Sequence, residues 1–169
     1  MSKKIHLINS DKYAVVDDED YEIASRFRWH LKKKGGRCYA RCKMYMGRLN
    51  GKSIGCSIYL HRLIMRPSSC MQIDHKDHNG LNCKRVNMRS CTNGQNKQNC
   101  RSAKGSSSKY KGVCWDRRSE KWYTRIKIKG KEIKLGTFNN ELEAALAYDR
   151  AATKYFGEFA CLNQNQMCA

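Results

Sequence analysis

Between Trp122 and Lys129 the chain alternates with period two, Thr124, Ile126 and Ile128 on one side and Arg125, Lys127 and Lys129 on the other. Successive side chains of a strand point to opposite faces, so this run reads as a strand with one apolar and one basic side. Gly130 offers a turn, after which Ile133 and Leu135 continue the apolar side while Lys134 points away. Tyr110 to Trp115 supplies a third strand, and the apolar face of the resulting antiparallel sheet needs a cover. The cover follows in the sequence. Asn140 to Glu143 carries the cap residue and N3 acid of a helix start, Ala144 to Phe156 is rich in Ala, Leu and aromatics, and Gly157 suits the exit. Three strands under one helix leave a basic face bearing Arg117, Arg125, Lys127, Lys129 and Lys134, a surface suited to nucleic acid.

Charge is segregated along the chain. Residues 109–136 hold ten basic residues against three acids, whereas residues 137–169 hold two against four. With 169 residues and a formal charge of +19, the chain can bury modest cores but not one large one, and it should bind a polyanion in a strongly salt-dependent way. The small, polar run Ser102 to Ser108 reads as a flexible join, giving three segments: 1–101, a linker over 102–108, and 109–169. Before it, Tyr13 to Val16, the acidic run Asp17 to Asp20, Phe27, Trp29 and Tyr39 to Tyr45 suggest a strand, a short helix and a hairpin. The acidic run reads as a solvated turn and helix start. Ten cysteines occur without any Cys-x-x-Cys pair, which favours free thiols. No secretory apolar core and no run long enough to span a membrane is present, so an intracellular protein without a membrane partner is expected.

The chemistry concentrates in Ile73 to Asn82, followed by Asn87 and Asn96. Between His61 and Ser108 there are nine Lys or Arg residues and only two acids, Asp74 and Asp77. A carboxylate kept inside a segment built to attract phosphate is a candidate to hold a cation or orient a base. Asp74 and Asn96 offer oxygen donors to one divalent ion, Mg²⁺ or Mn²⁺, with Asp77 next in line, while the imidazole of His75 could take a proton from water. Asp74-His75 falls at the end of a short apolar run and thus at a strand end. Val86 to Gln98 reads as a short helix. His61 reads as a buried packing histidine, and His78 as either a phosphate contact or a solvated loop residue.

His61-Arg62-Leu63-Ile64, Asp74-His75, Asn79 to Asn82, Arg85, Asn87, Arg89 and Gln95-Asn96 together resemble the HNH nuclease family in its homing-endonuclease branch, over roughly residues 57–101. That resemblance implies a ββα-metal fold, a single metal on Asp74 and Asn96, His75 as general base and Asn87 fixing the loop that orients the base. Asn rather than His at the later positions suits an oxygen-loving metal and argues against zinc.

A second resemblance lies in Tyr110 to Val113, Lys121-Trp122, Leu135 to Phe138, Glu143 to Ala145, Ala147 to Ala152, Gly157 and Leu162-Asn163. These residues resemble the plant ethylene-response-factor DNA-binding domain of the Apetala-two type, over about residues 109–163. The resemblance implies a sheet that enters the major groove, with Lys111 and Lys127 at basic contact positions. Cys114, Arg125 and Lys134 depart from the plant pattern, so the plant target sequence does not carry over.

The sequence therefore predicts an α+β chain in which a ββα-metal HNH nuclease domain is followed by a small three-stranded antiparallel sheet packed on one helix. The expected activity is that of a monomeric, metal-dependent, site-recognising endonuclease of the homing type acting on double-stranded DNA. The alternative is a DNA-binding regulator with an inactive nuclease core.

Overall fold

Strands carry more of the backbone of this protein than helices do, in a computed structural model that describes residues 1–103 and 105–167. Lys104 of the Ser-rich segment and Cys168 lie outside the described residues. The chain divides into two units, Met1–Asn93 and Gly94–Ala169, a boundary that falls earlier than the Ser-rich run.

The first unit begins with an antiparallel pair, β1 (Ser2–Leu7) and β2 (Ser10–Asp17). Ile5, Leu7, Ala14 and Val16 are buried, as period-two alternation requires for a sheet with one covered face. The acidic run then starts α1 (Asp18–Ser25), where three carboxylates in the first turn meet the positive end of the helix dipole. One of them, Asp20, is not solvated as the sequence suggested: it is buried and takes two bonds from the Arg85 guanidinium, at 2.9 and 2.7 Å. Trp29 fills the space behind α1 and donates its indole N–H to the Ala24 carbonyl (2.7 Å). A three-stranded sheet follows in the order β3 (His30–Lys34), β4 (Arg37–Leu49), β5 (Lys52–Tyr59), and α2 (Leu60–Met65) leads on from β5. The last pair is β6 (Gln72–His75) with β7 (Met88–Cys91).

The expectation of a ββα-metal nuclease domain within an α+β chain is corrected by this arrangement. The described chain is dominated by antiparallel sheets, with few helices, and the helix expected over Val86 to Gln98 does not form as one element. Arg85–Asn87 is a single 3-10 turn, Met88–Cys91 is a strand, and only the six residues of α3 (Asn93–Gln98) are helical. The three-residue spacing of Met88 and Cys91, both buried, is that of one helix face. What decides is pairing: β6 needs a backbone partner, and the strand register sets Arg89 directly opposite Asp74.

The second unit contains a sheet in the order β8 (Val113–Asp116), β9 (Lys121–Ile128), β10 (Lys131–Phe138), covered by α4 (Glu141–Phe156). Asn140 caps α4 by accepting the Leu142 N–H (2.7 Å). Thr124 lies on the covered face and donates its hydroxyl to the Ala144 carbonyl (2.8 Å), tying sheet to helix. Gly112 sits at φ +76°, where a Cβ would fall 2.1 Å from the Tyr148 ring, so the strand approaches α4 only because no side chain intervenes. Buried Asp149 accepts the backbone N–H groups of Asn163 (2.8 Å) and Gln164 (2.9 Å), and the Asn163 side chain bonds both the N–H and the C=O of Lys111. Among the described residues no helix is long and apolar enough to cross a membrane.

Candidate functional site

In the first unit, β6 delivers Asp74 and His75 side by side to its C-terminal end, 2 % and 6 % exposed respectively. Arg89, across the ladder on β7, donates its Nε to Asp74 Oδ2 (2.9 Å) and places an Nη 2.8 Å from the same oxygen. The carboxylate thus sits next to a buried cation. His75 enters a cluster of rings. Its centroid lies 5.2 Å from His61 of α2, edge to face at 87°, and 6.1 Å from Tyr39 of β4. Tyr59, at the end of β5, stacks on His61 at 5.4 Å. Burial lowers the pKa of His75 against the opposing pull of Asp77 and Asp74, and burial together with the neighbouring His75 and Arg62 pushes His61 down to about 3. Both imidazoles are therefore disposed to be neutral, the form that accepts a proton.

The loop after His75 is held by its own polar side chains. Asp77 accepts the Asn79 N–H (2.8 Å) and the side-chain amides of Asn82 (2.7 Å) and Asn87 (3.0 Å). Asn87 also donates to the Asn82 carbonyl (2.8 Å) and accepts the Asp77 N–H (3.2 Å), so one amide closes both ends of the loop. Burial pushes the Asp77 carboxyl up, but the bonds from Asn82, the Asn79 backbone and Asn87 outweigh it and hold the group below its usual range. Both Asp77 oxygens serve the loop. Outside the loop, β2 supplies a docking edge: Val15 N–H donates to the Leu81 carbonyl and the Cys83 N–H to the Val15 carbonyl, each 2.8 Å. Gly80 makes this seat possible, since a Cβ there would fall 2.5 Å from the Cys38 carbonyl and 2.6 Å from the Tyr39 ring. His78 takes a left-handed conformation (φ 64°) within the turn, its N–H donating to the His75 carbonyl.

The donor set suits only some cations. Among the described residues no three His, Cys, Asp or Glu side chains gather into a cage. A Mg²⁺ or Mn²⁺ ion keeps most of its water and needs one or two protein oxygens, so the Asp74 carboxylate matches such an ion far better than it matches zinc.

From the sequence His61 has a packing role and Tyr39 and Tyr59 have none; in the structure His61 and Tyr39 lie against the candidate base, and Tyr59 packs on those two rings. For His61 the signal was available in its place just after the apolar end of β5. For Tyr39 there is no local signal, because a long-range approach through Gly80 creates the contact.

In the second unit the sequence-predicted cations divide. Lys127 and Lys134 are exposed on the uncovered sheet face, and Arg117 is exposed in the β8–β9 turn. Lys129 lies in the β9–β10 turn at φ 48°, one residue beyond the strand face on which alternation placed it. Arg125 is exposed, and its Nη1 donates to both carboxylate oxygens of Glu132, its diagonal neighbour on β10, at 2.9 and 3.0 Å. Lys111 is half-buried: its ammonium donates to the carbonyls of Lys97 and Gln98 at the end of α3, and burial lowers its pKa. Asn96, the second ligand expected from the sequence, is half-buried on α3, its carbonyl accepting the Cys100 thiol (3.5 Å).

Comparison with known proteins adds two findings. The AP2 domain model matches residues 108–158. A protein of Acanthamoeba polyphaga mimivirus, named an uncharacterized HNH endonuclease, is 32% identical over 156 residues, covering 90% of this chain and 75% of its own. APETALA2-like protein 2 of Oryza sativa is 42% identical over 69 residues, and the AP2-like ethylene-responsive transcription factor TOE2 of Arabidopsis thaliana is 42% identical over 67. This chain spans only 16% and 14% of those two plant proteins.

Proposed function

The chain belongs to the family of the mimivirus protein named an HNH endonuclease, and on that premise we propose that it is a divalent-metal-dependent DNA endonuclease whose first unit cuts and whose AP2 domain binds the duplex. The observation that carries the reading is the buried Asp74-His75 pair at the end of β6, with the base candidate walled by Tyr39 and His61 and the following loop closed by Asn87. His75 accepts a proton from a water molecule as the water oxygen bonds to phosphorus and the bond from phosphorus to the departing sugar oxygen breaks. Asn87 keeps the loop behind that imidazole in one conformation, and the ring wall excludes bulk water from it. Asp74 is the carboxylate that would hold the ion, and the assignment of Asn96 as its companion rests on the sequence motif. A hydrated Mg²⁺ or Mn²⁺ bound there would stabilise charge on the departing oxygen.

DNA binding is supported by the AP2 domain and by an uncovered sheet face that carries Lys127 and Lys134, with Arg117 and Lys129 in the adjoining turns. One observation favours a second reading in which DNA is bound but not cut: Arg89 already neutralises Asp74. Nicking of supercoiled plasmid by the full chain, with and without Mg²⁺, separates the two. Metal-dependent relaxation that His75→Ala removes supports the nuclease; its absence, with retardation of DNA intact, leaves the binding protein.

A further inference from the structure

The β4–β5 hairpin outgrows its sheet. β3 pairs only with residues 37–41 of β4, whereas β4 and β5 remain paired from Arg41↔Tyr59 out to Leu49↔Lys52, closed by a turn with Asn50 and Gly51 at positive φ. From residue 37 to 59 there are five cations, Arg37, Arg41, Lys43, Arg48 and Lys52, and no acid. Elsewhere in this unit Arg85 and Arg89 are spent on carboxylates, but among the described residues Arg41, Lys43, Arg48 and Lys52 have no such pair. Near the tip Tyr45, Met46 and Leu49 are 67 %, 69 % and 63 % exposed, a concentration of apolar surface that folding of this unit leaves uncovered.

Alternation gives the ribbon direction. Ala40, Cys42 and Met44 pack toward the core, so Tyr39, Arg41, Lys43 and Tyr45 share the opposite face with their cross-strand neighbours Tyr59 and Ser57. That face begins at the ring cluster, where Tyr39 lies 6.1 Å from His75, and runs outward past two cations to the apolar tip. We propose that this ribbon is a second contact with duplex DNA, beyond the AP2 sheet: its cations grip phosphates flanking the one presented to His75, and Tyr45, Met46 and Leu49 press into a groove. The charge matches a polyanion, two-stranded ribbons fit DNA grooves, and apolar side chains are the groups that wedge between base steps. The placement beside the scissile phosphate rests on the nuclease reading; the contact itself does not.

The test uses the full chain in metal-free buffer, so that cleavage plays no part. Binding to a duplex is measured as a function of salt, with a footprint, for wild type, for K43Q/R48Q, and for Y45S/M46S/L49S, every changed residue being exposed. The charge variant lowers the salt slope by about two units, one per lost phosphate contact. The tip variant keeps the slope, loses about tenfold in affinity as expected for one lost anchor, and shortens the footprint at one end. Melting curves matching wild type show that both variants fold. Unchanged slope and footprint in both overturn the proposal, as does a tip variant whose only change is in the sedimentation of the DNA-free chain, which would make the partner a second copy. Failure of wild type to nick plasmid with Mg²⁺ would sink the nuclease reading and leave this result standing.

Discussion

Two regions of the molecule handle polar side chains in opposite ways. Around Asp74 and His75 the charges and amides face inward and satisfy one another, Arg89 with Asp74, Arg85 with Asp20, Asn87 with Asp77. On the β8–β9–β10 sheet the polar face looks outward, with Arg125 held by Glu132 while Lys127 and Lys134 are exposed. A buried polar group is worth much and is expensive to strand, whereas an exposed cation contributes to long-range attraction and little to stability. Substitution should therefore damage chemistry and folding in the first region, and only affinity in the second.

The most severe test of that contrast is His75→Ala. Loss of a general base costs on the order of 10²- to 10⁴-fold in rate. Single-turnover nicking should fall by that factor while duplex affinity stays within twofold or so; near-normal cleavage would remove His75 from the chemistry. Arg89→Ala comes next. Removing one partner of a buried ion pair leaves an uncompensated carboxylate and costs about 3–5 kcal/mol, read as a lower melting temperature. Added Mg²⁺ should then stabilise this variant more than it stabilises wild type, since the ion would replace the lost charge beside Asp74. Equal Mg²⁺ shifts in both proteins would take the ion away from Asp74.

Gly112→Ala probes the second unit where it is tightly packed. A methyl group 2.1 Å from the Tyr148 ring at a positive φ should cost about 1–3 kcal/mol and broaden the melting of this unit. An unchanged melting curve would mean the strand can back away from α4. The smallest expected effect is also the finest discriminator within the sheet region. Lys127→Ala should leave melting unaltered and reduce the salt slope of DNA binding by about one unit. Lys111→Ala should do the reverse, lowering stability through the lost helix cap at constant slope. If both behaved alike, the division between inward and outward lysines would fail.

How far each region was legible follows the same divide. In the second unit the strand at Trp122 to Ile128, the Asn140 cap and the cover helix obey rules that act within a few residues, so alternation and capping were enough to read them. The surroundings of Lys111 and Lys129 were not legible in this way. Whether a strand cation reaches solvent depends on what returns to meet it, and here the end of α3 met Lys111, while the turn took Lys129 off the face. In the first unit the residue types of the candidate site stood out in the sequence, but the fold around them did not. Met88 to Cys91 carries a helical spacing, and the strand is imposed by β6, over ten residues away in sequence and adjacent in space. The ring wall around His75 was illegible for the same reason.

The seating of the 76–87 loop has a consequence for how the molecule comes into being. Arg85 closes on Asp17 and Asp20 across sequence separations of 68 and 65 residues, and Val15 waits for backbone partners at Leu81 and Cys83. As the chain emerges from the ribosome, the early hairpin and α1 are made with one edge and one buried carboxylate still hydrated, and nothing nearby in sequence can finish them. The corner around Asp74 and His75 is thus the last part of its unit to set, and a half-synthesised chain holds His75 without the loop that packs behind it.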